Sequence, residues 1–160
     1  MRYKIEDIEG IGRAYRSKLS KAGVNSTADL LEQCGSAKGR RQVAATSGLD
    51  EGQLLKWADI ADLMRIRGIG KQFSELLEAA GVDTIKELRN RRPDNLAATM
   101  KEANARKKLA RATPSERRVA GWIDQAKGMS ARSHIDRQSL LRAKASAGAR
   151  DRRRIAGEGR

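Results

Sequence analysis

Aromatic residues, cysteine and histidine are all scarce in this sequence of 160 residues. Phe, Tyr and Trp together make up 3% of the chain, and so few rings argue against recognition of single strands by base stacking. One cysteine cannot form an internal disulfide, and one cysteine with one histidine cannot supply the ligands of a zinc site. The core must therefore be aliphatic, and Cys34 is predicted to be a small core residue at a helix end.

Long hydrophobic runs are also missing from the sequence. No stretch approaches the roughly 18 apolar residues that a transmembrane helix needs. Residues 1–7 carry charges where a secretory signal would place apolar side chains. The sequence therefore predicts a soluble, cytoplasmic protein without a membrane partner.

Negative charge is in short supply, because 34 Lys and Arg residues stand against 20 Asp and Glu residues and give a net charge of +14. Such a charge repels itself in the compact state and attracts polyanions over a long range. Nucleic acid is therefore the first candidate partner. The same charge also fits a basic protein that uses it for solubility, or that docks on an acidic protein or a ribosome.

An internal repeat is the strongest feature that the sequence does contain. Residues 5–30 align with residues 63–88 without a gap, and the apolar, glycine and basic classes stay in register. The matching positions are Ile5, Ile8, Gly10, Ile11, Gly12, Arg13, Tyr15, Leu19, Ala22, Gly23, Val24 and Leu30 in the first copy and Leu63, Ile66, Gly68, Ile69, Gly70, Lys71, Phe73, Leu77, Ala80, Gly81, Val82 and Leu88 in the second. This pattern indicates a duplication.

The spacing of apolar residues in both copies is helical, with steps of three and four residues over 15–22 and 73–80. Gly23 and Gly81 are placed to end these helices in a left-handed conformation. The next helix is predicted to begin at Ser26 or Thr27 in the first copy and at Asp83 or Thr84 in the second, where side-chain oxygens can cap backbone amides. Further helices are predicted over residues 36–46, 50–66, 93–112 and 115–126, with Trp57 and Trp122 in the core.

A short motif follows the first apolar residues of each copy. Residues 8–13 and 66–71 both have the form hydrophobic-x-Gly-hydrophobic-Gly-basic, which resembles the hairpin of helix-hairpin-helix proteins. The continuations over residues 22–30 and 80–88 resemble the bacterial family called domain of unknown function 4332, over roughly residues 4 to 127. The resemblance implies an all-α fold of tandem helix-hairpin-helix (SAM-like) units packed together.

The hairpin glycines suggest how such a unit would bind phosphate. Two glycines around one apolar residue allow a tight reversal with positive φ, while Ile11 or Ile69 anchors the loop in the core. Free amides at the start of the following helix can then donate hydrogen bonds to a phosphate. The predicted nucleic-acid-binding residues are Gly10, Gly12, Arg13, Arg65, Arg67, Gly68, Ile69, Gly70, Lys71, Arg106, Lys107 and Lys108.

The second hairpin is the stronger candidate of the two. Acidic residues crowd the first one at positions 6, 7 and 9, whereas Arg65, Arg67 and Lys71 flank the second. Paired hairpins of this class resemble an arrangement that grips both strands of a duplex through backbone contacts, without reading sequence. Here 58 residues separate the two hairpins, so they could face one duplex, two duplexes or different sides. The same glycine geometry also serves simply to pack two helices.

The chain is predicted to divide into three parts. The first unit covers residues 1–62, the second covers residues 63–127, and residues 128–160 form a basic, partly disordered tail. This tail contains Arg150, Arg152, Arg153 and Arg154, which fit either a solvated terminus or a nucleic-acid arm.

Features of an enzyme are missing from the sequence, and no cofactor or metal is predicted. Asp50, Glu51, Asp59 and Asp62 share one helix, but Lys56 and Arg65 at neighbouring turns favour ordinary surface pairing over a metal cluster. No phosphate-cradling P-loop is present. The first hypothesis is therefore a non-enzymatic, sequence-independent binder of nucleic acid, with duplex DNA as the first choice. The alternative is an architectural or protein-interaction module whose tail docks on a larger assembly, including RNA or a ribosome.

Overall fold

The computed structural model describes residues 3–129, and within this range the fold is all-α. A short 3₁₀ turn, Ile5–Asp7, precedes eight α-helices, and an isolated bridge between Lys4 and Ser26 is the one β-type pairing in the described chain. The helices are α1 (Arg13–Lys21), α2 (Thr27–Cys34), α3 (Ala37–Ser47), α4 (Glu51–Leu63), α5 (Lys71–Ala79), α6 (Ile85–Arg89), α7 (Pro93–Lys107) and α8 (Glu116–Met129). The predicted all-α class is confirmed; the predicted tail beyond Met129 lies outside the described residues.

The ends of α1 and α5 show that the duplication extends to local structure. Gly23 and Gly81 adopt left-handed φ values of +79° and +89° just after these helices. In both copies the next residue donates its amide to a carbonyl five residues back, from Val24 to Leu19 at 2.9 Å and from Val82 to Leu77 at 2.8 Å. This is the Schellman motif, whose left-handed position strongly favours glycine, so the predicted helix stops are confirmed.

The starts of α2 and α6 repeat as well. The Ser26 hydroxyl accepts the Asp29 amide at 3.1 Å, and the Thr84 hydroxyl accepts the Glu87 amide at 3.0 Å. Each cap satisfies an amide that has no acceptor within its helix, which fixes where the helix begins. Both predicted start sites are confirmed.

Two hydrophobic cores lie along the chain. The first combines buried side chains from the 3₁₀ turn and α1–α4, and the second combines those from the end of α4 through α8. In matching positions α2 packs on α4 and α6 packs on α8, while α4 also contacts α6 and joins the halves. Trp57 and Trp122 are buried as predicted, one in each core. The division at residues 62 and 63 stays a prediction, because α4 contributes to both cores.

Two predicted helices end earlier than the sequence pattern suggests. α4 ends at Leu63 instead of residue 66, and α7 ends at Lys107 instead of residue 112. Lys108 takes a left-handed φ of +50°, and the Asn104 side chain bonds both the amide and the carbonyl of Ala110. These side-chain bonds replace the next helical turn, because asparagine competes for backbone groups. Lys108 therefore caps α7 instead of extending its basic face.

A buried arginine closes the end of α2. The Arg40 side chain is fully buried, and its Nη1 donates to the carbonyl oxygens of Cys34 at 2.9 Å and Gly35 at 3.1 Å. A cation at a helix C-terminus satisfies carbonyls that have no amide partner. Arg40 therefore belongs to the interior of the first unit and not to a solvated basic face. Cys34 is buried at the helix end as predicted, and burial raises the pKa of its thiol to about 11.

Candidate nucleic-acid interface

The two glycine motifs fold into the same tight turn. In the first glycine turn (residues 8–11) the Ile11 amide donates to the Ile8 carbonyl at 3.2 Å, and in the second glycine turn (residues 66–69) the equivalent bond is 3.1 Å. Gly10 and Gly68, at the third position of each turn, have φ values of +88° and +98°. A positive φ at this position defines a type II turn and explains the glycine.

The second glycine of each motif has a different role from the predicted one. Gly12 and Gly70 have negative φ values of −87° and −105° and stand as extended N-caps before α1 and α5. The expectation that both glycines adopt positive φ is therefore wrong, because the reversal is completed by the first glycine alone. Ile11 and Ile69, between the glycines, are buried as predicted.

The starts of α1 and α5 are open. No side chain caps either helix, and the first amides with a helical acceptor are those of Arg16 and Ser74, which donate to Gly12 and Gly70. The amides of residues 13–15 and 71–73 therefore have no backbone acceptor within the described chain. By contrast, side chains of residues 26, 36, 50 and 84 cap α2, α3, α4 and α6. The glycine turns thus leave two helix starts with unused amides and with Arg13 and Lys71 exposed beside them.

The first glycine turn faces an acidic groove. Glu9 and Gly10 line a cavity of about 480 Å³ together with Glu75 and Glu78 of α5. Burial raises the pKa of Glu75, and the negative charge of Glu9 raises it further. Lys56 neutralises part of this charge by pairing with Glu78 at 3.1 Å. Three glutamates in one groove oppose the binding of a phosphate at this turn.

The second glycine turn faces a groove without carboxylates. A cavity of about 410 Å³ lies between this turn and α8, and its lining residues are Arg67, Gly68, Ser115, Arg117, Arg118, Gly121, Trp122 and Gln125. The Gln125 amide group holds the turn, because its oxygen accepts the Arg67 amide at 3.0 Å and its nitrogen donates to the Arg67 carbonyl at 3.3 Å. A Cβ atom on Gly68 would lie 3.0 Å from the Trp122 indole nitrogen, so the turn packs closely on α8.

A pair of aromatic side chains lies near each glycine turn. Tyr15 meets Trp57 and Phe73 meets Trp122, in both cases with ring centroids 5.3 Å apart. In the second copy the Arg118 guanidinium also lies over the Phe73 ring, 5.0 Å from its centroid. A guanidinium in this position is attracted by the ring and held beside the start of α5.

Comparison with known proteins places the chain in a family. The family model described as "Domain of unknown function (DUF4332)" matches residues 9–129, which is most of the chain. The chain belongs to the DUF4332 family. The resemblance read from the repeated motifs is thereby confirmed at the level of the family. No curated protein and no solved structure matches the chain.

The predicted binding residues of this DUF4332 chain do not all lie together at one site. Residues 67–71 run through the second glycine turn into the start of α5. The neighbouring Arg65 is half-buried and pairs with Asp62 at 2.8 Å. Lys107 lines the acidic groove with Gly10, while Arg106 lies 4.0 Å from Glu102 on the same helix. The basic end of α7 is therefore not gathered around the second turn.

The acidic residues of α4 are arranged differently from the prediction. Asp59 and Asp62 are 8% and 2% exposed, because α4 is packed between the two cores, and Lys56 pairs across to α5 instead of with its own helix. The predicted pairing with Arg65 is confirmed for Asp62 at 2.8 Å, but both carboxylates are buried and do not belong to a solvated surface. Among residues 3–129 no group of three or more His, Cys, Asp or Glu side chains could hold a metal ion. No helix in this range is long and apolar enough to cross a bilayer.

Sequence reasoning missed Arg117 and Arg118, which join the second turn only through tertiary packing. The only sign of them in the sequence is a pair of consecutive arginines near the start of the last predicted helix, shortly after Pro114 and Ser115. Such a pair is equally typical of a solvated helix face. Nothing in the sequence indicates that α8 returns to the glycine turn. The contact with Gln125 and Trp122 is what brings these arginines to the site.

The charges in the acidic groove of this DUF4332 protein predict how the pKa of Glu75 responds to substitution of Glu9. Replacing Glu9 with Gln is expected to lower the pKa of Glu75 toward its ordinary value, because it removes a nearby negative charge and leaves the burial unchanged. An NMR pH titration of the Glu75 side-chain carboxyl measures the shift. Glu6→Gln is the matched control, since Glu6 pairs with Arg16 and is not among the charges acting on Glu75. An equal change in both variants would contradict the described position of Glu9.

Proposed function

We propose that this DUF4332 protein is a non-enzymatic, cytoplasmic binder of duplex DNA that holds the phosphate backbone without reading sequence. The observation that supports it is the uncapped start of α5, where the amides of residues 71–73 have no backbone acceptor in the described chain and the Lys71 side chain is exposed. We assign both glycine turns to the helix-hairpin-helix class on the same grounds, since each combines a type II turn, a buried isoleucine and an open helix start.

Backbone amides at a helix start form a ready site for an anion. They carry the positive end of the helix dipole, and their hydrogens point away from the helix toward a phosphate oxygen. Lys71 is the first residue of α5 and adds a charge that salt can screen. Contacts of this kind to phosphate position the backbone and carry no sequence information.

The proposal assigns binding to the second turn and leaves the first turn out. Both turns have the same backbone geometry, but Glu9, Glu75 and Glu78 share a groove at the first. A phosphate there would meet like charges, and repulsion of this kind offsets what the amides contribute. The proposed protein therefore has one backbone site in residues 3–129 instead of a symmetric pair.

Duplex DNA is preferred over single strands because of the aromatic content. Tyr15 is the exposed large hydrophobic residue of the described chain, and it lies against Trp57 and under Lys18. Non-specific binding of single strands relies on several rings on which successive bases stack. A backbone site without fully exposed rings suits a duplex, whose bases are already stacked.

The test is a fluorescence-anisotropy titration of the full chain against a labelled duplex of about 20 base pairs, at two salt concentrations. The proposal predicts equal affinity for two unrelated sequences and weaker binding of a single strand. It also predicts that the logarithm of the affinity falls by about 0.9 per phosphate contacted for each tenfold rise in salt concentration. Absence of binding at low salt, or a strong preference for one sequence, would contradict the proposal.

An architectural role is the second candidate, and one observation favours it. The N-terminal segment lies close to the second unit. The Tyr3 hydroxyl oxygen would be 3.8 Å from a Cβ atom placed on Gly70, and the Glu9 carboxylate acts on Glu75 of α5. These contacts make the two halves a joined platform. If the full chain fails to bind DNA or RNA duplexes in the titration, the architectural proposal, with a larger protein assembly as the partner, replaces the first.

A further inference from the structure

Three arginines surround the groove beside the second glycine turn. Arg67 comes from the turn itself, and Arg117 and Arg118 come from the first turn of α8. We call this surface the arginine groove. Its lining contains no Asp or Glu, and none of its three arginines takes part in the ion pairs of Arg16, Lys56, Arg65, Arg92 or Arg106. The groove therefore concentrates positive charge that none of these ion pairs among residues 3–129 neutralises.

The walls of the arginine groove allow close approach of a ligand. Gly68 and Gly121 lie on opposite sides and have no side chains, and a Cβ atom on Gly121 would meet nothing within 4 Å. Arg67, Arg117 and Arg118 are exposed. A guanidinium presents paired donors that match two oxygens of one phosphate, so exposed arginines around an open floor suit an oxyanion.

The groove is adjacent to the open helix start. Arg118 lies over the ring of Phe73, and Phe73 is the third residue of α5 and supplies one of its free amides. The same side chain therefore stands between the arginine groove and the amides of residues 71–73. The open helix start and the arginine groove therefore share Phe73 and Arg118 as neighbours.

We propose that the arginine groove holds a second phosphate, next along the same strand to the one bound at the start of α5. This inference rests on the proposed backbone binding and adds α8 to the site. It gives the strand a direction across the surface, from α5 toward α8. The ligand class is a phosphodiester backbone, which satisfies both positions at once.

The test compares salt dependence of duplex binding by full-length variants. Arg117→Ala with Arg118→Ala is expected to weaken binding about fivefold near 0.1 M salt and to reduce the salt slope by about one, which corresponds to one lost phosphate. The matched control is Lys38→Ala with Arg41→Ala, which removes the same charge from exposed positions on α3. That helix packs on α1, α2 and α4, and the control is expected to change the slope by less than half as much.

A lysine variant separates charge from packing. Arg117→Lys with Arg118→Lys keeps both charges, so the salt slope should return to the value of the parent chain even if affinity stays lower. Equal slope changes in the groove and α3 variants, or no recovery with lysine, would overturn the second phosphate position while leaving the proposed function intact. Failure of the parent chain to bind any duplex would overturn both.

Discussion

Replacing Lys71 with Glu is expected to weaken duplex binding at least about tenfold at about 0.1 M salt. The change removes one cation and places an anion directly beside the proposed phosphate position, so it costs more than loss of a single contact. Stability should change little. An acidic residue on the first turn favours the helix dipole, while repulsion from Glu75, four residues on, offsets this by a similar amount. Anisotropy gives the affinity, and urea denaturation checks the fold.

The first copy of the repeat provides a matched control for the Lys71 variant. Arg13 is the first residue of α1, as Lys71 is of α5, so Arg13→Glu makes the same charge reversal at the equivalent position. Because the first turn faces the acidic groove, this variant should lose no more than about threefold in affinity through the altered net charge. Equal losses in the two variants would show that both turns bind, or that only total charge matters.

Replacing Gly39 with Ala is expected to destabilise the protein by on the order of 3 kcal/mol. α2 and α3 are joined by two residues, so the first turn of α3 folds back on the last turn of α2. A Cβ atom on Gly39 would collide with the backbone carbonyl of Gln33 and would also press on the Ser36 cap at 3.1 Å. A backbone carbonyl in a helix cannot rotate away, so the two helices must separate. Urea denaturation monitored by helical signal measures the loss.

The control for Gly39 is Gly121→Ala on α8. It makes the same substitution within a helix where a Cβ atom would meet nothing within 4 Å. Alanine is the better helix former by about 1 kcal/mol, so this variant should be more stable than the parent. A neutral or stabilising effect of Gly39→Ala would contradict the described crossing of α2 and α3.

The parts of the fold that the sequence predicts are those determined by neighbours in the chain. Gly23 and Gly81 end helices because a Schellman motif requires a left-handed residue, and Ser26 and Thr84 begin them because their hydroxyls reach amides three residues on. Such effects act within one turn, so the repeat makes them visible twice. The same reasoning located both glycine turns and their buried isoleucines.

Other features depend on contacts between distant residues and were not predictable from local patterns. The end of α7 depends on the bonds of Asn104 with Ala110, and the burial of Asp59 depends on α4 lying between two cores. At the candidate site, the sequence placed acidic residues near the first turn but not Glu75 and Glu78. It likewise missed Arg117 and Arg118, because only the return of α8 brings them to the second turn.

The internal repeat thus contains two copies of one backbone turn in opposite electrostatic surroundings. One turn is closed in by glutamates from α5, and the other is flanked by arginines from α8. In the proposed function, the first turn forms a contact between the halves and the second turn binds the phosphate backbone. This asymmetry is the central claim about function.

The most direct test is an NMR titration of the ¹⁵N-labelled full chain with an unlabelled duplex. The account predicts that backbone amides of residues 70–73 and of Arg117 and Arg118 shift with increasing DNA, while those of residues 12–15 do not. Equal shifts at both helix starts would contradict the asymmetry. Shifts confined to residues beyond Met129 would show that the turns are scaffolding and would contradict the proposed site.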